Sequence, residues 1–285
     1  MTVVHIEGRG LRLTNLEKVL WPEAGFTKAE VIDYYVSIAP VLLPHLEGRP
    51  LTLRFFPDGV DGVSWHQNEC ARQPEWFPVF ETHGRGGRPL RFCMVDGLPA
   101  LVWLANMAAI ELHPFLWRVG ASRRPTQIVF DLDPGAPAGL VESARVALAL
   151  RAALEALGLE PHVKTSGSLG LHVHAPLPEP AETKGAARAI AERLAAERPE
   201  EVVAEMRRST RTGKVFVDWL QNDPGRQTVA PYSLRGVALP LVATPVRWEE
   251  VEQAASESRP ELLVFTAADV LERVEREGDL FEALK

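Results

Sequence analysis

The sequence predicts an α+β fold built on a mixed or antiparallel sheet, not a regular doubly wound parallel sheet. Short β-branched and aromatic runs alternate with amphipathic stretches along the 285 residues, and 23 prolines and 21 glycines separate them into short elements. Several connections are short enough for hairpins, which join antiparallel strands. Because 46% of the residues are hydrophobic, the chain can bury a sizeable core.

The first half of the chain is predicted to contain two helices separated by a strand. Thr27 and Glu30 have the spacing of a capping box, and apolar residues recur at helical spacing over 31–42. Further along, the pattern predicts a strand in LTLRFF from Leu51, an apolar helix over 99–110 and an extended segment over 111–117.

The second half is predicted to contain a buried strand, TQIVFDLDP, followed by a long helix from Pro137 to Leu157. Two short strands around a Gly/Ser turn then occupy 161–177, and Thr183 can cap a helix through about Arg198. The remaining elements are a strand in VFVDWLQND and two helices near Trp248 and Thr266.

The charge is unevenly distributed. The net charge is −7, but residues 249–285 alone contain eleven acids and four bases, so the first 248 residues are neutral overall. Residues 207–214 contain four bases and no acid. Such a local surplus can neutralise phosphates despite an acidic total, although solvated surface charge explains it equally well.

Cys70 and Cys93 lie far apart without a CxxC pattern, which favours reduced, buried thiols over a disulfide or a zinc site. The N-terminus lacks the layout of a signal peptide and no apolar run reaches about 18 residues. We therefore expect a cytoplasmic protein.

Three aspartates are the candidate catalytic residues. Asp131 and Asp133 alternate at the end of a predicted strand, so both carboxylates face one side and repel each other unless a cation lies between them. Asp218 lies in a second apolar strand. Carboxylates on adjacent strands are typical ligands of Mg²⁺ or Mn²⁺. A plain turn entry for the first pair, and a turn-bonded Asp218, remain alternatives.

A turn rich in small residues, Thr165 to His172, offers hydroxyls and backbone N–H groups to an anion. We favour a phosphate contact for His172, and a packed core histidine is the simpler interpretation of His174. Gln221 and Arg235 come after Asp218, and an arginine fork suits the oxygens of a triphosphate.

The motifs taken together resemble the polymerase domain of bacterial ligase D, a branch of the archaeo-eukaryotic primase superfamily. The resemblance rests on DLDP, KTSGSLGLHVH, FVDWLQN and APYSLR, accompanied in family order by NLEKVLWP, FTKAEVIDYY, GRPLTLRFFPDGVDG and TPVRWEEV. It implies a primase-like catalytic core with a mixed sheet flanked by helices, and an N-terminal α/β portion packed against it. We expect one domain, 1–285, with an N-terminal portion to about 110, a core over about 111–248 and an acidic helical tail over 249–285. No ligase or nuclease segment follows, which suggests a free-standing or excised polymerase domain.

The resemblance also implies an activity. Members add ribonucleotides or deoxyribonucleotides to a 3′-hydroxyl during gap filling in double-strand break repair by non-homologous end joining, with Mn²⁺ or Mg²⁺ as cofactor. The implied partners are DNA ends or gaps with a 5′-phosphate, NTP or dNTP, a Ku-type end-binding protein and a DNA ligase.

Carried over motif by motif, the resemblance assigns residues to four roles. The metal-binding and catalytic residues are Asp131, Asp133 and Asp218. The nucleotide contacts are His113, near the ribose, with Ser166, His172, Gln221 and Arg235. The pocket for the 5′-phosphate contains Asn15, Lys18 and Lys28, and the template contacts are Trp65 and His66.

Three positions depart from the family pattern. His66 stands where members often carry the second of two aromatics, and Asn68 and Leu169 stand where lysines are usual. Loss of two positive groups predicts weaker affinity for template or triphosphate.

Two alternative functions remain open on the sequence alone. A metal-dependent phosphatase or nuclease would use the same acids to release phosphate or shorten DNA. A non-catalytic DNA-end-binding module would keep Lys18 and Lys28 but would have no use for three acids near a phosphate-binding turn.

Overall fold

The computed structural model of the protein describes residues 2–285, apart from the side chains of Arg85 and Arg208. The strands are β1 (Thr2–Ile6), β2 (Arg9–Leu13), β3 (Val19–Trp21), β4 (Phe26–Thr27), β5 (Leu51–Phe55), β6 (Trp65–Gln67), β7 (Val79–His83), β8 (Pro89–Cys93), β9 (Ala109–Pro114), β10 (Gln127–Pro134), β11 (His162–Thr165), β12 (Leu171–Pro176), β13 (Val202–Val203), β14 (Val215–Asp218) and β15 (Pro245–Val246). The α-helices are α1 (Lys28–Leu46), α2 (Leu98–Asn106), α3 (Leu140–Glu155), α4 (Lys184–Glu197), α5 (Trp248–Glu257) and α6 (Ala267–Glu277).

These elements form two compact units, each with its own sheet. The first unit contains the residues up to Val119 together with Gln227–Val242 and Thr266–Gly278; the second contains Gly120–Arg226, Ala243–Phe265 and Asp279–Lys285. Helices and mostly antiparallel strands occur in both, so the predicted α+β class is confirmed. Within the described residues, none of the helices has both the length and the apolar character needed to span a bilayer.

The first unit is built on an antiparallel sheet of order β6-β5-β8-β7, with β9 also paired to β5. The capping box before α1 is confirmed: Glu30 N–H donates to the Thr27 hydroxyl (3.3 Å), and Thr27 N–H donates to the Glu30 carboxylate (2.7 Å). The second helix ends earlier than predicted, at Asn106 rather than Ile110, because Ala108 adopts the left-handed conformation (φ 59°) and the chain continues as β9.

The expectation of two reduced cysteines is wrong, because Cys70 and Cys93 form a disulfide. The N–H of Cys70 donates to the carbonyl of Arg91 at 2.7 Å, which places the loop after β6 beside β8. This contact brings the two Cα atoms within 4.9 Å across a separation of 23 residues. The spacing of the cysteines in the sequence contains no signal for that contact.

The second unit is built on a six-stranded sheet of order β13-β14-β10-β12-β11-β15, antiparallel except for the β13/β14 pair. The hairpin of β11 and β12 was predicted, and so were the long helix α3 and the tail helices α5 and α6. Thr183 precedes α4 as predicted, but its side chain makes no capping hydrogen bond, because its backbone is already close to helical (φ −109°, ψ −16°).

Strand β10 lies inside this sheet, between β14 and β12. Ile128, Phe130 and Leu132 belong to the apolar core that α3, α4 and α5 complete. Because side chains alternate along a strand, Asp131 and Asp133 project from the opposite face. The hydrophobic pattern of β10 thus determines that its two carboxylates lie on the face of the sheet opposite the apolar core.

Candidate active site and DNA-end site

Two of the predicted catalytic carboxylates lie opposite each other on neighbouring strands of the second unit. Asp131 of β10 is in register with Asp218, the last residue of β14. The side-chain amide nitrogen of Gln221 lies between them, 3.5 Å from Oδ2 of Asp131 and 3.3 Å from Oδ2 of Asp218. Since this amide has two hydrogens, it partly offsets the repulsion between the two negative charges.

Electrostatics at Asp218 favour an added positive charge. Burial raises the pKa of the Asp218 carboxyl, and the charge of Asp131 raises it further. The N–H of Leu220, 2.9 Å from Oδ1, and the charges of Arg226 and Arg211 oppose this shift. The ionised carboxylate is therefore less stable here than in water, and a cation would stabilise it.

Asn222 holds β10 in place two residues before Asp131. Strand β14 ends at Asp218, and the chain turns through residues 220–222. The Asn222 amide then pairs with the backbone of Val129 as another strand would: its oxygen accepts the Val129 N–H (3.0 Å), and its nitrogen donates to the Val129 carbonyl (2.6 Å). This side chain therefore extends the sheet where β14 stops.

The donor chemistry of the aspartates fits a hard divalent cation, because all are carboxylate oxygens. As they stand, however, no three His, Cys, Asp or Glu side chains between residues 2 and 285 are close enough together to hold a metal ion. The Gln221 amide nitrogen lies between Asp131 and Asp218, and Asp133 is exposed at the end of its strand.

The predicted phosphate-binding turn is tightly built. The Ser166 hydroxyl oxygen accepts the N–H groups of Ser168 and Gly170, each at 3.2 Å, and the Ser166 N–H donates to the Gly170 carbonyl at 2.9 Å. A Cβ on Gly170 would come within 2.1 Å of the Leu132 carbonyl oxygen, so only glycine fits against β10. Because the Ser166 oxygen accepts two hydrogen bonds, its own hydrogen is left to donate.

The structure brings His172 to the carboxylates. His172 of β12 is in register with Asp131, and its Nε2 lies 3.2 Å from Oδ1 of Asp131. The turn that contains Ser166 leads directly into β12. The second unit therefore groups five of the predicted residues around the end of β10: Asp131, Asp218, Gln221, Ser166 and His172.

His113 and Arg235 lie in the first unit, where both neighbour a buried carboxylate that the sequence analysis did not single out. Glu111 of β9 lies 2.9 Å from Nε2 of His113 and 3.7 Å from Nε of Arg235, and Arg54 of β5 pairs with it at 3.3 Å. An acid inside the apolar run AIELHP was the available signal, since a buried charge requires partners.

The three residues assigned to the 5′-phosphate lie around the start of α1. Lys18 N–H donates to the Asn15 carbonyl (3.0 Å), and Lys28 N–H donates to the Lys18 carbonyl (2.8 Å). The Lys18 ammonium pairs with Asp58 at 2.7 Å. The Lys28 ammonium is buried and donates to the Asn106 carbonyl at 2.7 Å. Burial lowers the pKa of Lys28, and the charge of Lys18 lowers it further. The charged ammonium of Lys28 is therefore less stable than in water, and a bound anion would stabilise it.

The two template residues differ in setting. Trp65 is 44% exposed, stacks on Phe55 with ring centroids 5.6 Å apart, and lines a cavity of about 490 Å³ together with Trp103. His66 instead meets His113 edge to face at 5.9 Å. An exposed indole held flat by a second ring is suited to stack on a nucleobase.

Comparisons with known proteins agree with one another. A family model described as the LigD primase-polymerase domain matches residues 27–281. The multifunctional non-homologous end joining protein LigD of Mycolicibacterium smegmatis is 40% identical over 280 residues, 96% of this chain and 36% of that protein. The bifunctional non-homologous end joining protein LigD of Bacillus subtilis is 31% identical over 273 residues, 94% of this chain and 43% of that protein. The chain thus spans less than half the length of these relatives.

A solved structure supports the same relationship. The polymerase domain from Mycobacterium tuberculosis ligase D, in complex with DNA, matches this structure with a TM-score of 0.89 and 39% identity, over 96% of this chain and 97% of that one. The family predicted from the ordered motifs is therefore confirmed. This chain belongs to the LigD primase-polymerase domain family, a family of nucleotidyltransferase-type polymerases.

Proposed function

We propose that this chain extends the 3′-hydroxyl of a DNA end or gap by two-metal phosphoryl transfer, adding ribonucleotides or deoxyribonucleotides during gap filling in non-homologous end joining. The observation that carries the proposal is the facing pair Asp131 and Asp218, with Asp133 on the same face of β10. This pair contributes only oxygen donors, and the environment of Asp218 disfavours its uncompensated negative charge.

In this proposal Asp131, Asp133 and Asp218 hold the divalent ions. When bound, Mn²⁺ or Mg²⁺ lowers the pKa of the attacking 3′-hydroxyl and neutralises charge on the triphosphate and the departing pyrophosphate. The reaction involves little covalent work by the protein, so positioning and charge stabilisation supply most of the rate.

Five side chains contact the nucleotide in this proposal. Ser166 donates its remaining hydrogen to a phosphate oxygen, and His172 binds the same group beside Asp131. Gln221, whose amide nitrogen lies between the two carboxylates, would contact the nucleotide. Arg235 binds the triphosphate and His113 contacts the ribose.

The DNA is held at two further places in the first unit. The ammonium groups of Lys18 and Lys28, with Asn15, bind the 5′-phosphate on the far side of the gap, and Trp65 and His66 contact the template. A phosphate dianion stabilises two neighbouring ammonium groups, one of them buried, better than Asp58 alone does. A Ku-type end-binding protein and a DNA ligase are the expected partners in the cell.

The test is extension of a labelled, gapped DNA that carries a downstream 5′-phosphate, with Mn²⁺ and either nucleotide set, beside a 5′-hydroxyl substrate. Stepwise lengthening that favours the 5′-phosphate is expected. Asp131→Asn and Asp218→Asn should abolish extension but leave DNA binding within about 2-fold, because neither residue contributes positive charge. Asp96→Asn, an exposed aspartate of the first unit, is the matched control and should extend normally.

The other functions have their own products. Shortening of the labelled strand, or release of phosphate, would establish the nuclease or phosphatase. Binding without any product from the wild-type chain at saturating Mn²⁺ would establish the non-catalytic module. Near-wild-type extension by either aspartate variant would refute the metal assignment.

A further inference from the structure

Glu111 is a buried carboxylate of the first unit with several hydrogen-bond partners. Its side chain is 1% exposed, and its two oxygens have different partners. Oε1 accepts the Gly236 N–H at 3.0 Å and the Arg54 guanidinium at 3.3 Å, with Nε of Arg235 at 3.7 Å. Oε2 faces Nε2 of His113 at 2.9 Å, because residues 111 and 113 share one face of β9.

This arrangement decides which ring nitrogen of His113 carries hydrogen. Burial alone would raise the pKa of Glu111, but the hydrogen bond from His113, the charge of Arg235 and the Gly236 N–H bring it to about 2. Glu111 is therefore ionised and can only accept. Burial lowers the pKa of His113, against the opposing effect of Glu111, so its ring is neutral at neutral pH. A neutral ring has one N–H, and the carboxylate holds it at Nε2.

The other ring nitrogen, Nδ1, then presents a lone pair. Across the described part of the chain, Nδ1 of His113 takes part in no hydrogen bond. The ring is fixed in orientation by Glu111 at one edge and by the edge-to-face contact with His66 at 5.9 Å. Arg54 is fixed in turn by Ser64 at 3.2 Å and by the ring of Phe56 at 4.8 Å.

We propose that Glu111 is a positioning residue for nucleotide choice: it holds His113 in the Nε2–H form, so that Nδ1 accepts a hydrogen bond and selects sugars with a hydrogen-bond donor at the 2′ position. The inference rests on the proposed function, in which His113 contacts the ribose. A 2′-hydroxyl can donate to Nδ1, whereas a 2′-fluorine can only accept, and a 2′-hydrogen does neither.

Glu111→Gln is the informative variant, because the surroundings fix the orientation of the new amide. Three donors surround Oε1, so the amide oxygen of Gln must occupy that position, and its NH₂ group must face His113. Nε2 then becomes the acceptor, and the ring hydrogen moves to Nδ1. The variant reverses the polarity at Nδ1 with almost no change in shape.

The experiment compares kcat/KM for triphosphates with 2′-hydroxyl, 2′-hydrogen and 2′-fluorine on the gapped DNA. The wild-type chain should prefer the hydroxyl over the fluorine by about 2- to 10-fold, the value of one neutral hydrogen bond, and should use the fluorine no better than the hydrogen. In E111Q the fluorine should overtake the hydrogen. Glu81→Gln, a carboxylate on the exterior that pairs with Arg91, should match the wild-type chain.

Nitrogen chemical shifts of the His113 ring give a readout without catalysis. The wild-type chain at neutral pH should show hydrogen on Nε2 and none on Nδ1, and E111Q should show the opposite.

Two results would overturn the inference: an equal loss of kcat/KM for all three sugars in E111Q, or hydrogen on Nδ1 in the wild-type chain. If the wild-type chain extends no primer but has the Nε2–H form, the proposed function fails; if it extends primers but has the Nδ1–H form, only this inference fails. If E111Q does not fold, the inference is still tested by the wild-type chain alone, through its kcat/KM values for the three sugars and the nitrogen chemical shifts of its His113 ring.

Discussion

Replacing Asn222 should destabilise the second unit more than its position in a turn suggests. The Asn222 side chain is 1% exposed, and its amide satisfies both backbone groups of Val129, which is fully buried. Asn222→Ala leaves one N–H and one carbonyl of the sheet without partners. It also removes the hydrogen bond from the amide to the Trp219 carbonyl at 3.0 Å.

The magnitude follows from those two groups. An unsatisfied buried donor or acceptor costs about 1 to 3 kcal/mol, so the loss of partners for two such groups predicts a decrease of about 2 to 6 kcal/mol in the free energy of unfolding. Asn222→Asp should be destabilising at pH 7 as well, because a carboxylate accepts the Val129 N–H but repels its carbonyl. Protonation restores the donor, which means that the folded-state pKa of the introduced carboxyl is raised above its unfolded value. The stability of this variant is therefore greatest below about pH 4 and falls as the pH rises through the folded-state pKa.

Urea unfolding followed by far-UV circular dichroism and tryptophan fluorescence measures both effects, since Trp219 lies in the same turn. Asn68→Ala is the control, because Asn68 is exposed; it should change stability by less than about 0.5 kcal/mol. Two results would refute the idea that the Asn222 amide replaces a neighbouring strand as the partner of Val129. One is a decrease in the free energy of unfolding below about 1 kcal/mol for Asn222→Ala. The other is a stability difference between Asn222→Asp and the wild-type chain that does not shrink in acid.

Three further outcomes are expected. Asp58→Asn frees Lys18 from an exposed ion pair and should tighten binding of gapped DNA with a 5′-phosphate by up to about 5-fold, while 5′-hydroxyl DNA stays unchanged in fluorescence anisotropy. The Leu169 side chain is 67% exposed, so Leu169→Lys should lower the KM for nucleotide without changing the melting temperature. An unchanged KM would refute the proposal that the turn containing Leu169 lies next to the triphosphate. Without metal at pH 7, Asp218→Asn should unfold at a higher urea concentration than the wild-type chain, because burial and the charge of Asp131 raise the pKa of Asp218 and so make its ionised form destabilising. This gain in stability should vanish as the pH falls and Asp218 becomes protonated in the wild-type chain. Mn²⁺ should stabilise the wild-type chain and not this variant in the same titration.

The local features of the fold were predictable because their causes are local. The capping box at Thr27 and Glu30 lies within one turn of helix, and the alternation that turns Asp131 and Asp133 away from the core lies within one strand. The hairpin of β11 and β12 needed only a turn between two apolar runs. In each case the residues that determine the structure are neighbours in sequence.

The features that escaped prediction depend on distant partners. The burial of Glu111 depends on hydrogen bonds from Arg54 and Gly236, at separations of 57 and 125 residues, as well as on its near neighbour His113. The sequence places Asn222 in a turn, and its pairing with Val129 spans 93 residues. The chain also returns twice to the first unit, at Gln227 and at Thr266, without any shift in composition that marks these crossings. Such contacts depend on topology, which a single sequence does not display.

Residues 221 and 222 show why stability and chemistry are coupled in the second unit. Asn222 keeps β10 in register, and that register places Asp131 opposite Asp218. Gln221, the next residue in the same turn, reduces the repulsion that this register creates. An apolar pair at 131 and 218 would need no Gln221 amide between its members, so the sheet retains an unfavourable pair of charges together with the side chain that reduces their repulsion. That combination fits the proposal that Asp131 and Asp218 hold a divalent cation.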